Sequence, residues 1–450
     1  MPMQILWFRQ DLRLSDQRAL LAAVAAGPVL PVYILDDETP GLRPMGAASR
    51  WWLHHSLAAL DASLRKRGNR LLLLRGPSAA TLRALAASTG ATRIHATTHY
   101  EPWWKAAQAD LADLLTLHPG HTLADPASVT SGSGGRYRIF TPFWRALLNQ
   151  MPPPDPLPAP QHIPATDGPD GDTLADWALL PTDPGWSTGF TAWQPGEKGA
   201  HRALKAWLPQ VAGYETTRNL PSEAGTSRLS PHLHFGELSP ATVWHAALDA
   251  AGKAAASFTR QLVWRDFGQG MIDTLPDSHW VPHRDAFARF PFRDAPADLR
   301  AWQRGRTGYP LVDAGMRQLW QSGWMHNRVR MVAASFLTKH LLIDWRRGEE
   351  WFWDTLLDAD LGNNAMGWQW VMGSGVDSSP YNRIFAPVGQ SEKFDAAGYI
   401  RRWVPELAPL SDTDIHAPWR AARPTAAYPA PIVDHAQART RALSAYESIR

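Results

Sequence analysis

The sequence predicts a smaller α/β domain with a parallel sheet, followed by a larger all-α domain. The chain of 450 residues is long enough for two or three domains at roughly 150 residues each. Short apolar runs alternate with helical patterns over the first 125 residues, and helical periodicity replaces that alternation beyond about residue 196. We therefore place the α/β domain at 1–125, a connector at 126–195 and the helical domain at 196–450.

The first domain is predicted to contain strands and helices in strict alternation. The strands cover residues 5–8, 29–35, 71–74 and 94–98. The helices cover residues 15–26, 47–67, 78–89 and 103–117. Alternation at this spacing indicates parallel strands joined by right-handed crossovers. Neither G-x-G-x-x-G after the first strand nor G-x-x-x-x-G-K-[ST] occurs, so no common nucleotide motif marks this domain.

The connector is rich in proline and glycine, with SGSGG at 131–135 and MPPPDPLPAP at 151–160. This composition cannot sustain long helices or central strands. We expect a surface segment that is ordered in part by Phe140, Phe143 and Trp144. We interpret SGSGG as a flexible loop, with a phosphate cradle as the less favoured alternative.

The helical domain contains one strongly amphipathic segment near its centre. Its apolar positions follow the i, i+3, i+4, i+7, i+8 rule of a buried helix face. They are Val329, Val332, Ala333, Phe336, Leu337 and Leu341. We expect helices from about residue 196 to about residue 420, without an internal repeat.

The composition excludes several classes of protein. The absence of cysteine removes disulfides, thiol catalysis and Cys-ligated metal sites. No apolar run approaches ~18 residues, so we expect no membrane span, and the charged N-terminus argues against a secretory signal. We therefore expect a cytoplasmic protein. With 45 basic and 42 acidic residues, any contact with a polyanion must come from a local positive surface.

The sequence also lacks the common motifs of metal and nucleophilic catalysis. Neither H-E-x-x-H nor G-x-S-x-G occurs, and the histidines lack companions at metal-ligand spacing. We expect no metal. If the protein is an enzyme, a cofactor would carry out the chemistry.

Two stretches of the helical domain suit a bound cofactor. GTSRLSPHL at 225–233 places several hydroxyls before Pro231, and free N–H groups at a helix start suit phosphate; simple capping is the alternative. WMHNRVRM at 324–331 puts Asn327, Arg330 and Met331 on one helix face. If Arg330 is buried there it requires a carboxylate partner, and a solvated charge is the alternative.

A third stretch supplies that partner. Residues 356–387 contain Asp358 and Asp360, followed by Asn364 and two tryptophans, within a glycine-rich region of the kind that often carries sites. Two carboxylates so close also suit Mg²⁺, but no third ligand follows nearby, so we disfavour a metal.

These stretches, with WFRQDLR at 7–13 and GRTGYP at 305–310, resemble the photolyase/cryptochrome family of flavoproteins. The resemblance runs from Trp7 to about Glu447, and bacterial cyclobutane pyrimidine dimer photolyases are the most similar members. It implies a Rossmann-like antenna domain, a connector and a helical FAD-binding domain, in that order.

The resemblance implies which residues bind FAD. They are Tyr214, Thr226, Ser227, Arg228, Leu229, Ser230, Gln261, Arg265, Asn327, Arg330, Asp358, Asp360 and Asn364. Arg330 and Asp358 would form an ion pair against the flavin. Asn364 would face flavin N5, where a neutral amide oxygen accepts a hydrogen bond from the protonated nitrogen.

The resemblance also implies the substrate, which is UV-damaged DNA containing pyrimidine dimers. Photolyases flip the damaged bases out of the duplex, and the pocket walls here would be Trp264 and Trp370. The implied catalytic residues are Trp264, Gln261, Asn327, Met331 and Trp370. The implied phosphate contacts are Arg218, Arg265, Arg328 and Arg383. Light-excited reduced flavin would pass an electron to the dimer, and the electron would return after the cyclobutane ring opens.

Two residues depart from the family pattern. Gln261 stands where many dimer-repairing relatives carry Glu, so we expect slower repair because an amide cannot supply a proton. In the electron-transfer chain, Trp368 and Trp345 match the inner members, but Phe292 stands at the outer position. Trp302, Trp351 or Trp353 are the candidate replacements.

The antenna chromophore is the least determined feature. Trp103 and Trp104 replace polar residues that folate-binding relatives use, and we favour a packing role for them. A folate, a deazaflavin or no second chromophore all remain open.

Light-dependent repair of cyclobutane dimers by a monomeric enzyme is the leading prediction. The alternative is a cryptochrome-like blue-light photoreceptor with little or no repair, which Gln261 and Phe292 favour. A (6-4) repair enzyme is disfavoured by Asn327 and Met331, since those enzymes resemble a histidine-bearing version of this motif.

Overall fold

The computed structural model describes residues 1–39, 41–182, 185–422 and 426–450. The chain forms two compact units, each assembled from separated stretches of sequence. The first unit comprises Met1–Pro184, Ala192–Ala212 and Ser227–Pro276. The second unit comprises Gly185–Thr191, Gly213–Thr226 and Asp277–Arg450.

The described part of the first unit contains a five-stranded sheet in which every pairing is parallel. The strands are β1 (Gln4–Phe8), β2 (Val29–Leu35), β3 (Leu72–Arg75), β4 (Arg93–Thr97) and β5 (Leu115–His118). Their order is β3-β2-β1-β4-β5, and in the register Ile5 lies opposite Leu30 on one side and Ile94 on the other. All residues of β1 and β2 are buried, as expected for parallel strands whose two faces are covered.

The α-helices are given in chain order. The first unit contains α1 (Arg18–Ala26), α2 (Ala47–Arg65), α3 (Ser78–Thr89), α4 (Pro102–Asp110), α5 (Phe140–Leu147) and α6 (Glu197–Trp207). The short α7 (Tyr214–Thr217) belongs to the second unit, and α8 (Ser230–His234), α9 (Pro240–Ala251) and α10 (Ala256–Thr274) belong to the first. The second unit continues with α11 (Pro296–Gln303), α12 (Pro310–Ser322), α13 (Asn327–Ser335), α14 (Trp345–Thr355), α15 (Leu361–Met372), α16 (Pro387–Lys393), α17 (Ala397–Trp403) and α18 (His435–Glu447).

The predicted fold class is confirmed, with two corrections. The helix predicted over 103–117 was wrong in its second half, because α4 ends at Asp110 and β5 occupies Leu115–His118. The apolar residues of β5 fit either period, and its pairing with β4 gives its backbone the hydrogen bonds that decide the outcome. The helix α18 lies beyond the expected end at residue 420; its buried residues are Ala438 and Ala442, too small to give an apolar signal.

The connector is ordered in part by its aromatic residues, as predicted. Helix α5 buries Phe140 and Phe143. SGSGG at 131–135 forms a turn in which Gly134 N–H donates to Ser131 O at 2.8 Å. Residues 183 and 184 of the predicted connector lie outside the described residues.

The amphipathic segment of the second unit is confirmed by burial. All six predicted apolar positions are at most 1% exposed. Helix α13 covers the first half, and a single π-helical turn, Phe336–His340, covers the second. This wider turn was not predicted, and Lys339 and His340, which lie in it, are buried along with their apolar neighbours.

The GRTGYP motif at 305–310 has a structural role. The buried carboxylate of Asp313 accepts hydrogen bonds from Thr307 N, Thr307 Oγ1 and Gly308 N, and a further one from Tyr428 at 2.5 Å. Gly308 has φ of +79°, and a Cβ there would lie 2.4 Å from the backbone of Ala430. The motif therefore ties a tight turn to the start of α12.

Two features are absent from the described residues. None of the helices there combines the length and apolar character needed to cross a bilayer. No group of three acidic or histidine side chains in that part of the chain is placed to hold a metal ion.

Candidate active site

The predicted site residues fall in both units. The first unit holds Ser227, Arg228, Leu229, Ser230, Gln261, Trp264 and Arg265. The second unit holds Tyr214, Arg218, Thr226, Asn327, Arg328, Arg330, Met331, Trp345, Asp358, Asp360, Asn364, Trp368, Trp370 and Arg383.

In the first unit, the turn before α8 is strained at Arg228. This non-glycine residue has φ of +53°, a conformation that is costly and tends to persist where structure or function requires it. Ser227 Oγ accepts a hydrogen bond from Leu229 N at 3.3 Å. This contact closes a local turn before α8 and is not a side-chain cap of the helix, and a phosphate role for the segment remains a prediction.

The second unit contributes Gly225, at the end of the preceding stretch. A Cβ on Gly225 would lie 2.6 Å from Thr217 Cβ and 2.7 Å from Thr217 O. A larger residue cannot fit unless α7, which carries Thr217, moves away. The neighbouring Tyr214 is buried, and burial raises the pKa of its hydroxyl.

Trp264, on α10, is a half-buried aromatic residue whose orientation is fixed. Its ring stacks on Phe140 with centroids 3.5 Å apart and an interplanar angle of 6°. Phe267 packs against it edge to face at 5.9 Å. On the same helix, Gln261 Nε2 donates to Ser257 O at 3.2 Å. A rigid, partly exposed indole of this kind can offer a flat face to a base.

Arg265 is buried, whereas Gln261 and Trp264 on the same helix are half-buried. It is 8% exposed, and its guanidinium donates to His121 O at 2.5 Å and to Leu233 O at 3.3 Å. Burial and the Arg265 charge hold the pKa of His121 well below its usual value. These contacts tie Arg265 into the interior of the first unit, and they do not favour the phosphate contact predicted for it.

The ion pair predicted in the second unit is present. Arg330 Nη2 lies 2.9 Å from Asp358 Oδ2, and the Asp358 side chain is 5% exposed. Arg330 Nε donates to Met325 O at 2.8 Å, which satisfies a second face of the guanidinium. A buried pair needs such supporting hydrogen bonds because both charges have lost water.

Asp360 and Asn363 form the N-terminal cap of α15. Asp360 Oδ1 accepts hydrogen bonds from Asn363 N at 2.7 Å and from Asn363 Nδ2 at 2.8 Å. The cap fixes the first turn of α15 and with it the position of Asn364.

Asn364 is held by a residue that sequence reasoning missed. Its Nδ2 donates to Glu349 O at 3.1 Å and to Glu349 Oε1 at 2.8 Å. Both donors are thus used, which assigns Oδ1 as the acceptor that remains for another group. The signal was in the sequence: Trp345, Glu349 and Phe352 follow helical spacing, and an acid on that apolar face needs a partner.

The residues of the second unit fit a flavin. A reduced flavin offers an N5–H donor, which Asn364 Oδ1 can accept, and ring carbonyls, which a guanidinium can meet. Arg330 is held by Asp358, and Asn364 by Glu349, so both groups are oriented before a ligand arrives. The buried polar atoms therefore form a prearranged set of donors and acceptors rather than an apolar core.

Five tryptophans of the second unit pack into two groups. Trp368 packs against Trp302 with centroids 6.2 Å apart, and both rings are almost completely buried. Trp351 stacks on Trp320 at 5.7 Å, and Trp320, which is 37% exposed, stacks on Trp186 at 4.8 Å. Trp302 is therefore adjacent to the inner member of the predicted chain, and Trp351 belongs to a column that reaches solvent.

The remaining predicted residues of the electron-transfer chain and the pocket differ in their exposure to solvent. Trp345 is 1% exposed, and Phe292 packs on Phe290 with centroids 4.8 Å apart. Met331 and Trp370 are half-buried and Asn327 is exposed, so solvent or a ligand can reach all three.

Three arginines of the second unit form a positive cluster, which we call the arginine cluster: Arg218, Arg328 and Arg383. Burial and the charges of Arg218 and Arg383 lower the pKa of Arg328. Arg328 is oriented by Asn219 Oδ1, which accepts from its Nη2 at 2.8 Å, and by Phe394, whose ring centroid is 4.5 Å from Cζ. Mutually repelling cations held this way suit a polyanion.

Trp103 and Trp104 of the first unit pack edge to face with centroids 6.1 Å apart. Their exposures are 8% and 9%, as the packing interpretation predicts.

Two family models and several known proteins match the sequence of this chain. A family model for DNA photolyase matches residues 4–161, and a model for the FAD binding domain of DNA photolyase matches residues 258–448. The deoxyribodipyrimidine photo-lyase of Agrobacterium fabrum is 47% identical, covering 99% of this chain and 98% of the relative. Cryptochrome-1 of Arabidopsis thaliana is 37% identical, covering 97% of this chain and 69% of the relative.

Solved structures of two photolyases have the same fold as this chain. A bacterial class III photolyase from Agrobacterium tumefaciens superposes with a TM-score of 0.95 at 47% identity, covering 100% of this chain and 98% of that chain. An archaeal photolyase from Sulfolobus tokodaii with two FAD molecules gives a TM-score of 0.84 at 28% identity, covering 99% of this chain and 100% of that chain.

Proposed function

The chain belongs to the DNA photolyase family, and from that membership we propose that it splits cyclobutane pyrimidine dimers in UV-damaged DNA under light. The observation that carries this proposal is the full-length similarity to deoxyribodipyrimidine photo-lyases, together with the Arg330–Asp358 pair and the oriented Asn364 amide. When bound, FAD supplies the light-absorbing one-electron donor that opens the cyclobutane ring.

The chain's own residues are proposed to bind FAD and to hold it in a fixed orientation. Arg330, held by Asp358, is proposed to contact the flavin ring, and Asn364 Oδ1 to accept from N5–H. Asp360 keeps Asn364 in place by capping α15. The other proposed FAD contacts are Tyr214, Thr226, Ser227, Arg228, Leu229, Ser230, Gln261, Arg265 and Asn327.

For the substrate, Trp264 and Trp370 are each proposed to present an aromatic face to an extruded base. Asn327, Met331 and Gln261 are proposed to contact the dimer. The arginine cluster is proposed to bind backbone phosphates. It would supply the local positive surface that DNA binding needs on a chain whose formal net charge is only +3. Trp368 and Trp345 are proposed to carry electrons to the cofactor.

The organisation and setting of the protein follow from the same proposal. We propose an antenna domain at 1–125, a connector at 126–195 and a flavin domain at 196–450. We also propose that the protein is a monomer and that it works in the cytoplasm; the absence of cysteine fits that reducing compartment. The second chromophore is open between a folate, a deazaflavin and none.

A cryptochrome-like photoreceptor is the second candidate. Gln261 and Phe292 favour it, because each replaces a residue that supports repair or photoreduction, and the relatives include Arabidopsis thaliana cryptochromes.

One assay separates the two candidates. The holoprotein with reduced FAD is mixed with an oligonucleotide containing one thymine dimer, and dimer loss is followed under blue light and in darkness. Repair in light alone supports the enzyme, and binding without repair supports the photoreceptor. Trp370→Ala should abolish repair, whereas Trp280→Ala, on an indole that is 57% exposed, serves as the matched control.

A further inference from the structure

Lys339 is a buried cation with an unusual set of partners. It lies in the π-helical turn Phe336–His340 and is 1% exposed. Its Nζ donates to Tyr381 O and to Arg383 O, both at 3.0 Å, and lies 4.9 Å from the centroid of the Tyr381 ring. The ammonium therefore faces two carbonyl oxygens and one aromatic face, which is a complete environment for its three hydrogens.

Among the residues that the structure describes, no acid forms an ion pair with Lys339. Within the described ranges, no carboxylate oxygen lies within 4.0 Å of its Nζ. Burial, and then the charge of Arg383, lower the pKa of Lys339 to about 7. An apolar side chain of similar length would avoid the cost of burying this charge, so its presence calls for a role.

The loop that Lys339 holds carries one member of the arginine cluster. Residues 380–385 have few hydrogen bonds of their own, from Arg383 N to Pro380 O and from Ile384 N to Asn382 O, both at 3.0 Å. The Arg383 side chain is exposed, while its carbonyl oxygen is tied to Lys339. Lys339 thus fixes the backbone from which Arg383 extends.

We propose that Lys339 is a positioning residue for DNA binding: its ammonium holds the 381–383 loop in the shape that lets Arg383 meet a backbone phosphate, and the complex takes up a proton there. This inference rests on the proposed function. A phosphate beside Arg383 offsets the positive charge that opposes the Lys339 ammonium, so DNA binding and protonation favour each other.

The other titratable groups around Lys339 do not produce the same effect. The hydroxyl pKa of Tyr381 is raised by burial, and the pKa of the neighbouring His340 is lowered to about 3 by burial and by His435. Between about pH 6 and pH 9, Lys339 is therefore the member of this group that titrates.

The test measures, in darkness, the affinity of the holoprotein for a dimer-containing oligonucleotide across this pH range. Affinity should be constant at the acid end and fall as the pH rises through the pKa of free Lys339. The fall should reach roughly tenfold by about pH 9 if binding raises that pKa by about one unit. Lys339→Met should bind more weakly at acid pH and show a flat profile.

Lys393→Met is the matched control, because it removes an exposed charge near the Phe394 ring. It should lower affinity by a similar factor at every pH and keep the wild-type slope. If Lys339→Met does not fold, calorimetry of the wild type in buffers of different ionisation enthalpy still tests whether DNA binding is coupled to proton uptake. It should show net proton uptake at about pH 7.5, and Arg383→Gln should abolish that uptake.

The outcomes are distinguishable. A wild type that binds and repairs, but with a flat pH profile and no proton uptake, overturns the role of Lys339 alone. A Lys339→Met variant whose DNA affinity depends on pH as steeply as that of the wild type also overturns the role of Lys339 alone. A wild type that neither binds nor repairs dimer-containing DNA at any pH overturns the proposed function, and this inference with it.

Discussion

Asn364 donates through Nδ2 to both the main-chain oxygen and the carboxylate of Glu349, at 3.1 and 2.8 Å. Removal of the carboxylate leaves a buried amide donor partly unsatisfied, at a cost of about 1–3 kcal/mol, and frees the amide to rotate. Glu349→Ala should therefore lower the midpoint potential of bound FAD, because the proposed hydrogen bond from flavin N5–H to Oδ1 is weakened. Spectroelectrochemistry of the holoprotein measures it.

Two companion variants make this prediction specific. Glu349→Gln keeps an oxygen acceptor at the same length and should restore most of the potential. Glu350→Ala removes the exposed neighbouring acid and should leave the potential unchanged. A wild-type potential in Glu349→Ala would show that Asn364 does not depend on Glu349.

Asp358 supplies the charge that keeps Arg330 in place. Asp358→Asn should cost about 3 kcal/mol of stability, since it leaves a mostly buried guanidinium without its counter-charge, and should weaken FAD retention. Thermal unfolding and the flavin-to-protein absorbance ratio after gel filtration check both effects. Asp354→Asn, on the exposed side of α14, is the control. Full FAD retention in Asp358→Asn would refute the role of the pair.

Gln261 is the proposed dimer contact at which proton supply can be tested. Its amide can bind a base edge but cannot give a proton to a developing radical anion, so Gln261→Glu should raise the quantum yield of repair. The yield is measured with calibrated blue light and a thymine-dimer oligonucleotide. An unchanged yield, with unchanged DNA affinity, would remove this explanation.

Trp302 lies against Trp368, so we predict that it carries electrons from that inner member of the proposed chain. A phenylalanine ring is harder to oxidise than indole, so Trp302→Phe should slow photoreduction of bound FAD. Trp103→Phe, in the packed aromatic pair of the first unit, should slow it less. Time-resolved absorption in the presence of a reductant gives both rates. Equal rates would exclude an exit through Trp302.

Much of this arrangement could be predicted because it depends on local pattern. The apolar spacing from Val329 to Leu341 marked a buried face, and an arginine on that helix needed an acid, which Asp358 supplied. The four predicted strands are present because each is a short apolar run bounded by turn residues.

The missed features depend on contacts that are distant in sequence or on a single inserted residue. The stacking of Phe140 on Trp264 joins residues 124 positions apart (264 − 140), and no periodicity marks it. The π-helical turn after Ser335 leaves no signal in the apolar spacing, and it contains Lys339, a buried cation. The strand β5 depends on pairing with β4 more than on its own sequence.

The wavelength dependence of repair shows whether the bound flavin drives the reaction. Reduced holoprotein is illuminated across the near-ultraviolet and blue with a thymine-dimer oligonucleotide, and dimers split per incident photon are counted. We expect repair to follow the absorption of the bound reduced flavin and to stop in the dark. Repair in darkness, or no dimer loss at wavelengths that the flavin absorbs, would contradict this expectation.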